Sequence, residues 1–234
     1  MAECESGCGW ISPVYNSCTD RHCPQCRGGV RAEWLAARCD QLLPIPHFQV
    51  TSTLPGVLRE IARDNQAIVY DLLFRATKET LQQLAADDKR LGAQLGIIAV
   101  LHTWGSNLVF HPHIHCLVTG GGLSLDQEAW VATNKDYLFP TSVMAKLIRG
   151  KVIAGLREAF GAGELFIRGD PTHTEVAFKA MIRQAYRYRW VVNVEAPDGR
   201  PVERAAKYLA RYVGGIAISD ARMVEITSTH VTYK

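Results

Sequence analysis

No stretch of the sequence runs for about 18 apolar residues without interruption, which excludes a helix long enough to span a bilayer. The N-terminus also lacks an apolar run of the secretory kind, so the chain reads as cytoplasmic, where thiols stay reduced. Charge of one sign is missing too: 26 basic against 23 acidic residues leave +3, too little to identify a nucleic-acid partner by itself. Only local runs argue for one, namely Arg183, Arg187 and Arg189, then Arg204, Lys207 and Arg211. A composition of 47% hydrophobic and 21% charged residues excludes a disordered chain. Gly120-Gly121-Gly122 has neither a following lysine nor phosphate-loop spacing, which argues against a nucleotide site.

Cysteine is scarce over most of the chain, with five of the seven lying between Cys4 and Cys26. In a reducing compartment that clustering, Cys4-x3-Cys8-x9-Cys18-x4-Cys23-x2-Cys26, points to metal rather than disulfides. The spacing is that of a zinc-ribbon-like module in which four thiolates hold one Zn²⁺, supplying folding energy that so short a segment cannot draw from a core. The expected ligands are Cys4, Cys8, Cys23 and Cys26, with Cys18 as the alternative because the gap between Cys4 and Cys8 is unusually wide. A helix over 31–43 leads out of the module, and Pro44 and Pro46 end it. The expected division is therefore a zinc module with linker helix over 1–43 and a larger domain over 44–234.

In the larger domain, a β-rich run at 47–55 precedes an amphipathic helix over 57–86 and a strand over 95–104. The turn signal Gly105-Ser106-Asn107 leads into His111-Pro112-His113-Ile114-His115-Cys116-Leu117-Val118. Side chains alternate across a strand, so His113 and His115 emerge on one face while Ile114 points to the core. Two imidazoles one pleat apart can share a metal ion. The hairpin places His102 across from His113, which makes His102 the preferred third ligand over His111. The three glycines are expected to end this strand in a flexible loop. Further on come helices over 141–160 and 174–186, strands over 164–168 and 190–194, and a closing hairpin around 220–222.

The helix after the Pro197-Asp198-Gly199 turn carries Tyr208 and Tyr212, four residues apart and hence on one helix face. Either phenol could attack a phosphorus whose oxygens a metal polarises, or the two could be packed residues. Lys207 and Arg211 beside them could stabilise the developing charge, contact DNA, or be solvated.

Three blocks together resemble the rolling-circle transposases of the bacterial insertion-sequence ninety-one family, members of the two-tyrosine HUH endonucleases. They are the cysteine-rich start through Cys26, the block from His102-Thr103-Trp104-Gly105 to His115-Cys116-Leu117-Val118, and Lys207-Tyr208-Leu209-Ala210-Arg211-Tyr212. The resemblance implies an α+β fold, with a central antiparallel sheet and packed helices of the RNA-recognition-like HUH type. It implies Mg²⁺ or Mn²⁺ on His113 and His115, and Tyr208 and Tyr212 as nucleophiles on single-stranded DNA at transposon ends and target. A tyrosine would become linked to the 5′ phosphate and free a 3′ hydroxyl. A plasmid replication initiator or relaxase with the same chemistry, and a non-catalytic zinc-dependent DNA-binding remnant, are the alternatives. The chain stops soon after a strand, which reads as a domain trimmed at its C-terminus, and the sequence leaves the oligomeric state open.

Overall fold

The computed structural model describes residues 2–3, 11–12, 24–169, 174–213 and 222–233. Two short strands, β1 (Ala2–Glu3) and β2 (Ile11–Ser12), pair antiparallel near the N-terminus, and helix α1 (Pro24–Cys39) follows. Proline at the first helical position suits that start, since its missing N–H has no partner there in any case. Next come β3 (His47–Thr53), α2 (Arg59–Asp64), α3 (Gln66–Ala86), β4 (Ala93–Trp104), β5 (Phe110–Ser124) and β6 (Trp130–Ala132). Then follow α4 (Thr141–Gly161), α5 (Thr174–Arg187), β7 (Val191–Glu195), α6 (Val202–Ala210) and the hairpin β8 (Met223–Ile226) with β9 (Val231–Tyr233). No helix among the described residues is long and apolar enough to cross a membrane.

The main sheet runs β4-β5-β3-β7, antiparallel throughout, with β6 added to the far end of β5. The fold is thus α+β with an antiparallel sheet and packed helices. Strand alternation sends Phe48, Val50, Ile114, Cys116 and Val118 to one face, where α3 and α4 cover them with Val69, Leu73, Met144, Ile148 and Leu156. The other face carries a smaller cluster of Val100, Leu117 and Leu209, against which Trp34 of α1 and Tyr208 of α6 pack. That second layer is where the histidines emerge.

Four expectations need correction. The helix expected over 57–86 breaks at Asn65, whose side chain ties the end of α2 to Phe166: Asn65 Nδ2 donates to Ile61 O at 3.0 Å and to Phe166 O at 2.8 Å, and Phe166 N donates to Asn65 Oδ1 at 2.7 Å. That amide takes up both backbone groups of Phe166, and 164–168 is not the expected strand. The glycines at 120–122 do not end β5 in a loop, because the strand continues through them to Ser124. They are there for close approach: a Cβ on Gly122 would stand 2.1 Å from Gln94 O, and one on Gly120 would stand 2.7 Å from Pro46 O. The stretch 223–233, expected as one strand of the closing hairpin, is itself a hairpin that turns at 227–230, where Thr227 N donates to His230 O; Asp220 and Ala221 of the expected turn lie outside the described residues. The expected strand residues Ile216 to Ser219 lie outside the described residues.

Candidate active site

The register of the sheet assembles the site. Turn residues 105–108 close the β4–β5 hairpin so that His102 pairs with His113, and Thr51 of β3 pairs with His115. His102, His113 and His115 therefore share one face, and one ligand nitrogen from each lies within 4.8 Å of the other two. His113 Nδ1–H donates to the carbonyl of His111 at 2.6 Å, which fixes the tautomer and leaves the Nε2 lone pair facing His102 Nδ1, 3.2 Å away. Two nitrogens bound at right angles to one ion at about 2.1 Å would stand about 3 Å apart, so this spacing needs little adjustment. His115 shares a hydrogen bond between Nδ1 and Thr51 Oγ1 at 3.2 Å, and its Nε2 is buried with no partner. A buried acceptor without a partner is costly, and a cation would satisfy it.

Burial keeps these rings neutral. It pulls His115 down to about 3 and His102 to about 4, with the neighbouring imidazoles adding repulsion, and lowers His113 as well. Neutral imidazole is the form that ligates. His111 stands apart: Arg59 Nη2 donates to its Nδ1 at 3.1 Å, which takes that nitrogen out of use. Cys116, on the opposite sheet face, is buried in the main core with its thiol pushed up to about 12 by desolvation.

Helix α6 brings the tyrosines to the same place. Leu209 is buried at 1% exposure between Val100 and Leu117, which seats the helix on the histidine face. Tyr208 lies in the last turn of α6, and Tyr212 sits just past its end, in a tightened turn where Tyr212 N donates to Leu209 O at 2.9 Å. The ring of Tyr212 stacks on His115 and lies 4.7 Å from that of His102, whereas Tyr208 meets His115 edge-on at 5.9 Å. Burial, and then a hydrogen bond with Tyr208, push the Tyr212 phenol above its ordinary range. Helix α1 buttresses this arrangement through Trp34 and through Arg31 Nε, which donates to Val213 O at 3.4 Å.

The triad and Tyr212 open onto a cleft of about 880 Å³ that also receives Arg31, Arg59, Arg211 and Arg222, and no carboxylate among the described residues lines it. Tyr208 and Arg211 line a second cleft of about 870 Å³, bounded also by Pro44 to His47 and by residues 195–205. Lys207 is exposed and lines neither. Cys4, Cys8, Cys18 and Cys23 lie outside the described residues, as does the side chain of Cys26. Sequence reasoning missed Thr51 and Arg59. Thr51 shares the alternating face of β3 but needs the β3–β5 register to be found, and no local signal marks Arg59.

Residues 96–234 match the profile of a family described as "Putative transposase", and residues 1–54 match a "Transposase zinc-binding domain". The chain is 42% identical over 229 residues to "Putative transposase y4qJ" of Sinorhizobium fredii, covering 97% of this chain and 57% of that protein. It is 27% identical over 236 residues to the "Transposase for insertion sequence element IS801" of Pseudomonas savastanoi pv. phaseolicola, covering 94% and 52%. The chain thus spans about half the length of the curated relatives it matches. Among solved structures, a metal-bound complex of the conjugative relaxase TrwC with oriT DNA matches over 74% of each chain at 13% identity, with a TM-score of 0.39.

Proposed function

The chain belongs to the transposase family of the insertion-sequence ninety-one type, and from that premise we propose that it nicks single-stranded DNA with a tyrosine nucleophile and transfers the cut strand. One observation carries the reading: Tyr208 and Tyr212 meet the face that carries His102, His113 and His115, although 93 residues separate even the nearest pair, His115 and Tyr208, in sequence. The phenol oxygen of one tyrosine attacks phosphorus as the bond from phosphorus to the 3′ oxygen breaks. The 5′ phosphate stays on the tyrosine, and the phenol proton is passed through water to the departing 3′ oxygen. The second tyrosine cuts a new strand in the same way, and the 3′ hydroxyl freed there attacks the first phosphotyrosine, so that a phosphodiester forms as the bond from phosphorus to the phenol oxygen breaks. Phosphodiester energy is kept in the phosphotyrosine, so rejoining needs no ATP.

The three imidazoles fit a divalent cation, since one ring nitrogen of each lies within 4.8 Å of the other two and His115 Nε2 has no other partner. Such an ion supplies Lewis-acid polarisation of the non-bridging phosphate oxygens. A donor set of three nitrogens without a carboxylate favours Mn²⁺ over the oxygen-seeking Mg²⁺. Thr51 orients the ring of His115, and the His111 carbonyl holds His113 in the tautomer that frees its Nε2. The stacked position of Tyr212 on His115 sets the approach of its phenol. Arg211 bridges the two clefts, where its charge meets a DNA backbone, and Lys207 adds a contact from the exposed side of α6.

The N-terminal segment holds a structural Zn²⁺ through Cys4, Cys8, Cys23 and Cys26, with Cys18 as substitute, and the module ends near residue 43. The substrates are single-stranded element ends and target strands, reached in the cytoplasm. The experiment is to mix the protein with Mn²⁺ and single strands carrying the ends of its element, then look on a denaturing gel for protein joined to DNA. A shifted band that disappears in H113A/H115A is expected. No shifted band from the parent protein overturns the reading.

A further inference from the structure

We infer that Arg59 is the anion clamp of the histidine cleft, binding the non-bridging oxygens of a DNA phosphodiester beside the triad. This deepens the nicking reading and rests on it for the identity of the anion. Arg59 opens α2, directly after the 3₁₀ turn Gly56–Leu58, whose Leu58 is fully buried in the main core. The backbone from which the guanidinium extends is therefore fixed.

Among the described residues, the Nε atoms of Arg38, Arg59 and Arg149 are buried without a partner, and of these three arginines Arg59 lines the histidine cleft. Its Nη2 donates to the neutral ring of His111, and no carboxylate pairs with it among the described residues. Half-burying a guanidinium beside four imidazoles, with no counter-charge, is unfavourable unless an anion arrives. The planar fork fits two oxygens of one phosphate, and the cleft's other arginines carry the same sign. Position agrees with charge. The residue Arg59 touches, His111, is also the one whose carbonyl orients His113, so an anion held there lies next to the metal-binding nitrogens.

The test reads the salt dependence of binding to a fluorescent oligothymidylate, by anisotropy, in the full protein without added metal. Losing one phosphate contact from a single strand should reduce the slope of log K against log salt by about 0.7 in R59Q. R157Q, at an exposed position of α4 away from the cleft, should keep the parent slope. R59K retains the charge but not the fork, so it should keep the slope while binding at least threefold more weakly. Thermal melting confirms folding, and R59K serves alone if R59Q does not fold. A parent-like slope in R59Q, or parent-like affinity in R59K, overturns the clamp. So does weakened Mn²⁺ binding with an unchanged slope, which would make Arg59 only a support for His111. Because nothing is cut in this measurement, a protein that fails to nick but shows the slope change loses the enzymatic reading and keeps the clamp.

Discussion

Tyr212 lies flat against His115, with ring centroids 4.1 Å apart and planes 11° from parallel. A phenol in that position cannot be moved without exposing the His115 imidazole, and that ring cannot turn without displacing the phenol. The histidine triad and the tyrosine helix therefore behave as one packed unit, and several outcomes depend on it.

Removing a triad ring should abolish tight metal binding. In calorimetric titrations with Mn²⁺, H113A and H115A are expected to lose at least a hundredfold in affinity. T51V should lose about tenfold, the usual cost of an outer partner that orients a ligand. H111A should retain most of the affinity, since its ring is engaged by Arg59 and its backbone carbonyl survives the substitution.

Acid should destabilise the metal-free protein. Burial is the largest cause of the lowered pKa of His47, His102, His111, His113 and His115, so the folded state resists protonation where the unfolded chain accepts it. Stability from these groups is complete above the unfolded value near 6.5 and is lost progressively as pH falls toward about 4 for His102 and about 3 for His115. Urea midpoints measured with a chelator present should fall steadily between pH 7 and pH 5, and H102A/H115A should flatten that decline.

Gly122→Ala should destabilise the sheet by about 1–3 kcal/mol, because the new methyl meets the backbone of β4 rather than a side chain that can swing away. Gly163→Ala, by contrast, meets no neighbouring atom and pays only for its positive φ of 72°. Thermal melts of the two variants measure the difference.

Leu209→Ala should separate the two halves of the site. Leu209 seats α6 between Val100 and Leu117, outside the main core, so its loss loosens the tyrosines while leaving the β4–β5 hairpin intact. Adduct formation is expected to fall at least tenfold with Mn²⁺ affinity within twofold of the parent.

Much of this site could be read locally. The Gly105-Ser106-Asn107 signal fixes a hairpin, the hairpin fixes the register, and the register puts His102 opposite His113. Helical spacing put Tyr208 and Tyr212 on one face, although the helix proper ends at Ala210 and a tight turn carries Tyr212 the rest of the way. What stayed hidden depends on contacts between distant segments. Thr51 reaches His115 only through pairing across 64 residues, and Asn65 breaks a helix to bond a backbone 101 residues away. Gly120-Gly121-Gly122 looks like a loop because composition cannot distinguish chain flexibility from the close approach of three strands.

The most direct measurement is peptide mapping by mass spectrometry of the protein after incubation with Mn²⁺ and single-stranded element ends. The account predicts a nucleotide-bearing peptide modified at Tyr208 or Tyr212, absent from Y208F/Y212F and from H113A/H115A. An adduct on any other residue, or an undiminished adduct in the double phenylalanine variant, would contradict it.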